Sequence, residues 1–235
     1  MFSYDKMIGI SQVDDKGFLT PGALFGEFQD CAEFQSSARG VGMDYLLQHS
    51  SGWVVAYYEM IVNRIPKSSE KLTIGTIPYR IKGYLGERNF IIKDETGEVI
   101  IAAESMWVYM DRKNARMAHI PDEVIKAYEP DMEERYDINP KGRKLKMPDD
   151  LTHRQDFEIR RCDLDYNGHV NNTVYIRLAE EYIPSDRQMK RMRVLFTKSV
   201  LYGEKIHAYT KADDEAVYVA LRNDAGEDAV TIEIT

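Results

Sequence analysis

Between Thr20 and Ala32 the apolar residues Leu24, Phe25, Phe28, Cys31 and Ala32 recur at helical spacing, so one side of a 3.6-residue period is apolar. Thr20 is placed to cap that helix, and Pro21 to open it, because a missing N–H costs nothing in the first turn. A second helix is predicted after Asn171 or Asn172, with Val174, Tyr175, Leu178, Ala179 and Tyr182 on its buried side and Pro184 as its stop. Elsewhere the apolar positions follow strand patterns, over 53–61, 72–84, 89–93, 99–110, 192–200, 205–211, 216–222 and 229–234. One helix followed by a run of antiparallel strands, twice over, is an α+β arrangement.

The two runs resemble each other. IIKDETGEVIIAAE (91–104) parallels ALRNDAGEDAVTIE (220–233), each reading as a hairpin with glycine where a positive φ is often needed. EKLTIGT (70–76) and EKIHAYT (204–210) precede them in the same order. Matching elements in matching order predict a duplicated domain. The stretch 121–150 carries four prolines and little periodicity, which reads as a surface linker. The expected division is a first domain over 1–125, a linker over 126–149 and a second domain over 150–235.

Composition narrows the function classes. A net charge of -8 argues against general affinity for nucleic acid. No apolar run approaches the roughly 20 residues that span a bilayer, so no membrane role is expected. The opening MFSYDKMIGISQV lacks a basic leader and an apolar core, and only two cysteines occur, so a cytoplasmic setting is expected.

The densest polar cluster is DLDYNGHVNN, 163–172. Asp163, Asp165, Asn167 and Gly168 match the first half of a calcium loop, but Val174 stands where the bidentate glutamate is required. The cluster directly precedes the second predicted helix, whose N-terminal end polarises a nearby carbonyl. His169 is suited to general-base work near neutral pH, with Asp165 or Asn167 orienting it or a water. Capping and turn formation alone also suit these residue types. Cys162 adjoins the motif, but a nucleophilic role is disfavoured. The five histidines show no metal-ligand spacing along the chain, and neither metal nor cofactor is expected.

The stretch DLDYNGHVNNTVYIRLAEEYIP resembles the signature of the acyl-acyl-carrier-protein thioesterases, with Asp165, Asn167, His169, Val170, Asn171, Asn172, Tyr175, Glu181 and Pro184 in register. The helix near Pro21, the Trp53 strand, AAESMWVYMD and Ile120-Pro121 are similar to the family's first half. The resemblance implies a tandem double hotdog fold, each half a curved antiparallel sheet wrapped around one long helix. It implies hydrolysis of the thioester joining a fatty acyl chain to acyl carrier protein, with Asp165, Asn167 and His169 catalytic. Where the family usually carries a further glutamate, this chain has Ser199, with Glu181 or Glu204 as weak substitutes.

The resemblance also puts the acyl chain in the first half, where Leu24, Phe28, Trp53, Val55, Tyr57 and Met60 are the candidate lining residues. An ordinary core would show the same pattern. Two basic clusters, KGRKLK (141–146) and RQMKRMR (187–193), stand against the acidic background. The second supplies the candidate docking residues for the carrier protein: Arg187, Lys190, Arg191 and Arg193. Two other readings stay open: a non-hydrolytic acyl-binding protein, motivated by Ser199, and an acyl-CoA thioesterase. The chain is compatible with a monomer or a homodimer.

Overall fold

The computed structural model describes residues 1–184 and 187–235, which form two compact units, Met1–Pro140 and Lys141–Thr235. The first unit contains β1 (Phe2–Met7), α1 (Pro21–Ala38), α2 (Met43–Gln48), β2 (Ser51–Val62), β3 (Lys71–Lys82), β4 (Leu85–Lys93), β5 (Val99–Asp111), the short β6 (Arg116–Met117) and α3 (Asp122–Tyr128). The second contains β7 (Thr152–Glu158), α4 (Asn172–Glu180), β8 (Arg191–Phe196), β9 (Lys205–Ala212), β10 (Val217–Arg222) and β11 (Asp228–Ile234). Strands run antiparallel in the order β1-β3-β4-β5-β2 in the first unit and β7-β9-β10-β11-β8 in the second. The two orders correspond strand for strand, with α1 and α4 each following the first strand of its unit. Each unit is a hotdog, and the chain a double one.

Both helices start where the sequence indicates. Thr20 Oγ1 accepts the Ala23 N–H, and Asn171 Oδ1 accepts the Thr173 N–H. α4 is shorter than expected and ends at Glu180, so Tyr182 lies beyond it. In the first unit, β1 is tied to α1 through the buried Glu27, which accepts from Tyr4 Oη, Lys6 Nζ and Gln12 Nε2.

The core of the first unit lies between α1 and its sheet. Phe28 stacks on Phe90 at 4.7 Å between centroids, and Phe25 meets Tyr58 edge-on at 4.9 Å. A β-bulge in β2 decides which residues share that face. Val55 pairs with Trp107, but Tyr57 pairs with Met106, so Ala56 is the extra residue. An extra residue reverses the alternation beyond it. Tyr57 therefore faces away from Trp53 and Val55, whereas Tyr58 and Met60 continue their row. Tyr57 is a correction to the expected grouping, since Tyr58 and not Tyr57 shares the row of Trp53, Val55 and Met60.

The expected linker is also corrected in its first half. Val124 and Tyr128 are buried in a cluster with Val41, Leu46, Tyr109 and Ile120. Tyr128 Oη lies 2.7 Å from Ser36 Oγ, Arg135 is paired with Glu104 at 2.7 Å, and Tyr136 N–H donates to Asn89 Oδ1. Aromatic burial and these bonds place 126–140 in the first unit.

Candidate active site

The motif begins at Asp163, whose carboxylate accepts the Arg160 backbone N–H at 2.9 Å and its guanidinium at 2.9 and 3.0 Å. Arg160 holds this carboxyl below the usual carboxylate range. Asp163 is buried, and its backbone oxygen accepts the Asn171 N–H at 2.8 Å, closing the loop at the base of α4.

Asp165 organises the tip. Its Oδ1 accepts the backbone N–H groups of Asn167 at 2.8 Å and His169 at 3.1 Å, while Oδ2 accepts the Asn167 side-chain amide at 3.0 Å. Asp165 N–H donates to the His169 carbonyl at 2.7 Å, and Gly168 supplies the positive φ of 78° that lets the chain turn back. Both carboxylates are thus engaged by N–H donors, which build the turn.

The partly buried His169 side chain has no hydrogen-bond partner among the described residues. Its backbone bridges Leu201, and the next residue donates N–H to Val200 O at 3.0 Å. Val200 N–H in turn donates to Tyr175 Oη on α4 at 3.2 Å. Strand-like pairing on one side and Asp165 on the other fix the backbone of His169 and leave the imidazole available.

The first unit repeats this loop in detail. Asp14 Oδ1 accepts the N–H groups of Lys16 at 3.0 Å and Phe18 at 2.8 Å, and Gly17 turns at φ 82°. Phe18 bridges Lys67 as His169 bridges Leu201. Lys16 and Phe18 therefore occupy the places of Asn167 and His169 on the same scaffold. The shared Asp-x-x-Gly spacing at 14–17 and 165–168 is the signal that could have exposed this correspondence in the sequence.

Ser199 is exposed, two residues before Leu201. Glu204 Oε2 accepts the Leu201 N–H at 2.7 Å, just as Glu70 Oε1 accepts the Lys67 N–H at 2.8 Å in the first unit. Glu204 is thereby committed to a turn that both units share. Glu181 is exposed at the C-terminal end of α4. Cys162 is exposed in a 3-10 turn, 3.9 Å from Asp163 Oδ1, and not in a strand.

Residues 2–128 match the acyl-ACP thioesterase N-terminal domain, and residues 146–235 match the C-terminal domain. The chain belongs to the acyl-ACP thioesterase family. A palmitoyl-acyl carrier protein thioesterase, chloroplastic, from Cuphea hookeriana is 35% identical over 139 residues, covering 57% of this chain and 34% of that protein. The chain thus spans about a third of that curated relative's length. An acyl-ACP thioesterase structure from Bacteroides thetaiotaomicron superposes with a TM-score of 0.89 at 21% identity, over 99% of this chain and 96% of that one. The 12:0-ACP thioesterase from Umbellularia californica gives 0.86 at 18% identity, over 99% and 95%. These structures establish the shared fold.

Within this family frame, Leu24, Phe28, Val55 and Met60 are buried, and Trp53 is partly buried edge-on to Tyr109 at 4.9 Å. Polar atoms are buried in this unit as well: Tyr58 Oη, Gln35 Oε1 and Arg88 Nη1 have no hydrogen-bond partner among the described residues. Tyr58 and Arg88 share one row, since each pairs with Ser105 across the sheet.

Of the candidate docking residues, Arg193 is corrected. It is buried, pairs with Glu233 at 2.9 Å, and donates to the carbonyls of Gly142 at 2.6 Å and Lys144 at 2.7 Å. A guanidinium held by a carboxylate and two carbonyls is a structural pin. Its effect is to lay the 141–146 segment beside β8. Lys190 is exposed, Arg191 is half-buried, and Arg187 donates to the Asp213 carbonyl.

Proposed function

We propose that the protein hydrolyses the thioester between a fatty acyl chain and the phosphopantetheine arm of acyl carrier protein, releasing the free fatty acid. The observation that carries this reading is the loop 163–171, which presents an unencumbered imidazole next to a helix N-terminus. In the proposed mechanism His169 takes a proton from water as the oxygen attacks the thioester carbonyl. The tetrahedral intermediate collapses with cleavage of the C–S bond, and His169 returns the proton to the departing thiolate. Asn167 spends one amide hydrogen on Asp165, leaving its other hydrogen and its carbonyl oxygen to orient water or substrate. Asp165 holds both residues in place.

The acyl chain would lie in the first unit against Leu24, Phe28, Trp53, Val55, Tyr58 and Met60. We place the enzyme in the cytoplasm, in keeping with its two free cysteines.

Single-turnover hydrolysis of C8 to C18 acyl carrier proteins tests the reading. Wild type should cleave at least one chain length rapidly. His169→Ala should be slower by about 10² to 10⁴, the usual worth of general acid–base help. Ser199 at the family's glutamate position favours one second reading, an acyl-binding protein. Tight binding without turnover by the wild type would select it.

A further inference from the structure

We propose that His153, Asp156 and His207 form a zinc site that staples the edge strand β7 to β9. His153 Nε2 and His207 Nδ1 each lie 2.7 Å from Asp156 Oδ1, and the three candidate ligand atoms lie within 4.8 Å of one another. The histidines are on different strands, so spacing along the chain conceals the cluster.

The backbone is shaped to assemble it. His153 and Asp156 are three apart and would face opposite sides of a regular strand. The register runs His153 opposite Tyr209, Gln155 opposite Ala208 and Asp156 opposite His207, making Arg154 a bulge residue. The bulge brings His153 onto the face of Asp156 and His207. Arg154 sends its guanidinium to Thr210 Oγ1 at 2.8 Å. Behind the cluster, Asp224 Oδ1 lies 2.9 Å from His207 Nε2. A carboxylate on the far nitrogen of a ligating histidine fixes its tautomer and raises its basicity.

Two imidazoles and one carboxylate form a borderline donor set suited to zinc, unlike the all-oxygen sets of calcium and magnesium. Zinc takes such ligands at about 2.0–2.2 Å with tetrahedral preference. The ligand atoms would then be roughly 3.4 Å apart, within reach of small rotations of the exposed His153 and Asp156 and the half-buried His207. On binding, the proton on His207 Nδ1 leaves to solvent while Nε2–H stays on Asp224. His153 adopts the Nδ1–H tautomer, and water completes the sphere. β7 is largely exposed and pairs only with β9 among the described strands, so cross-strand ligation would hold the edge that enters the second unit.

Isothermal titration with Zn²⁺, and the visible spectrum with Co²⁺, test this on the full chain. One ion per chain should bind. His153→Ala, Asp156→Asn and His207→Ala should each weaken binding by about 100-fold or more, and Asp224→Ala by about 10-fold. His169→Ala should bind normally, and zinc should raise the Tm of the wild type but not of His153→Ala. Metal-free Tm and circular dichroism establish that each variant is folded. Absence of one-to-one binding up to millimolar zinc, or wild-type zinc affinity in His153→Ala and Asp156→Asn, would overturn the site.

Discussion

Asp14 and Asp165 separate what a residue does for the loop from what it does for chemistry. Both accept two backbone N–H groups at matching positions, yet one loop ends in Phe18 and the other in His169. Asp14→Ala and Asp165→Ala should therefore each cost about 1–2 kcal/mol, since each orphans the same kind of donors. Only Asp165→Ala should lower kcat, because only that loop positions an imidazole. Urea unfolding and steady-state kinetics on the pair decide this. An Asp165→Ala enzyme of unchanged stability and abolished kcat would mean that the carboxylate acts on the reacting groups directly. Asp163 adds a pH signature. Arg160 depresses its folded pKa below the ordinary 3.8, so its contribution is present above that value and lost as pH falls through the lower folded one. The urea-midpoint gap between wild type and Asp163→Asn should be full at pH 7 and close progressively below about pH 4.

At the scale of elements, the register of β2 controls the wall of the proposed acyl site. Because Ala56 is a bulge, Tyr58 joins Phe28 and Phe90 in one aromatic cluster, 6.2 Å and 5.9 Å away between centroids. Phe90→Leu should loosen that stack, costing roughly 1–3 kcal/mol as a partial core truncation. It should also shift the preferred acyl chain upward by one or two carbons in the C8–C18 panel. An unchanged chain profile in a folded variant would place the chain elsewhere. The bulge was not legible in SGWVVAYYEMIV, where neighbouring apolar residues hide the alternation. β7 was missed for the opposite reason: THRQDFE is polar and exposed, so no burial pattern marks it. By contrast, helix starts were legible because Thr20, Pro21 and Asn171 cap by local chemistry that needs no tertiary context. Asp165, Asn167 and His169 were legible as a cluster. The hydrogen bonds that divide their roles depend on φ at Gly168 and pairing with 200–201, which spacing alone does not encode.

At the scale of the whole molecule, the duplication read from two short hairpins extends through strand order, motif loop and turn. Asp94 Oδ1 accepts Thr96 and Glu98 N–H, and Asn223 Oδ1 accepts Ala225 and Glu227 N–H, with glycine at φ 84° and 75°. Sequence identity faded between the units while the groups that fix backbone turns persisted.

Charge is where the molecule as a whole bears on the proposed partner. A chain of net charge -8 would repel an acidic carrier protein at long range, so the proposed encounter needs local basic surface. Arg193 supplies it indirectly. By holding the carbonyls of Gly142 and Lys144 it fixes the segment bearing the exposed Lys144 and Lys146, and β8 directly follows the exposed Lys190. Charge reversal of Lys144, Lys146 and Lys190 to Glu should raise KM for acyl carrier protein about 10-fold or more and leave kcat unchanged, since rim charges act mainly on association. Raising salt should increase the wild-type KM steeply and that of the triple variant little, because screening removes an attraction the variant no longer has. If KM is indifferent both to the reversals and to salt, the carrier protein docks elsewhere. The test is independent of the chemistry at His169, because kcat reports the loop and KM the surface.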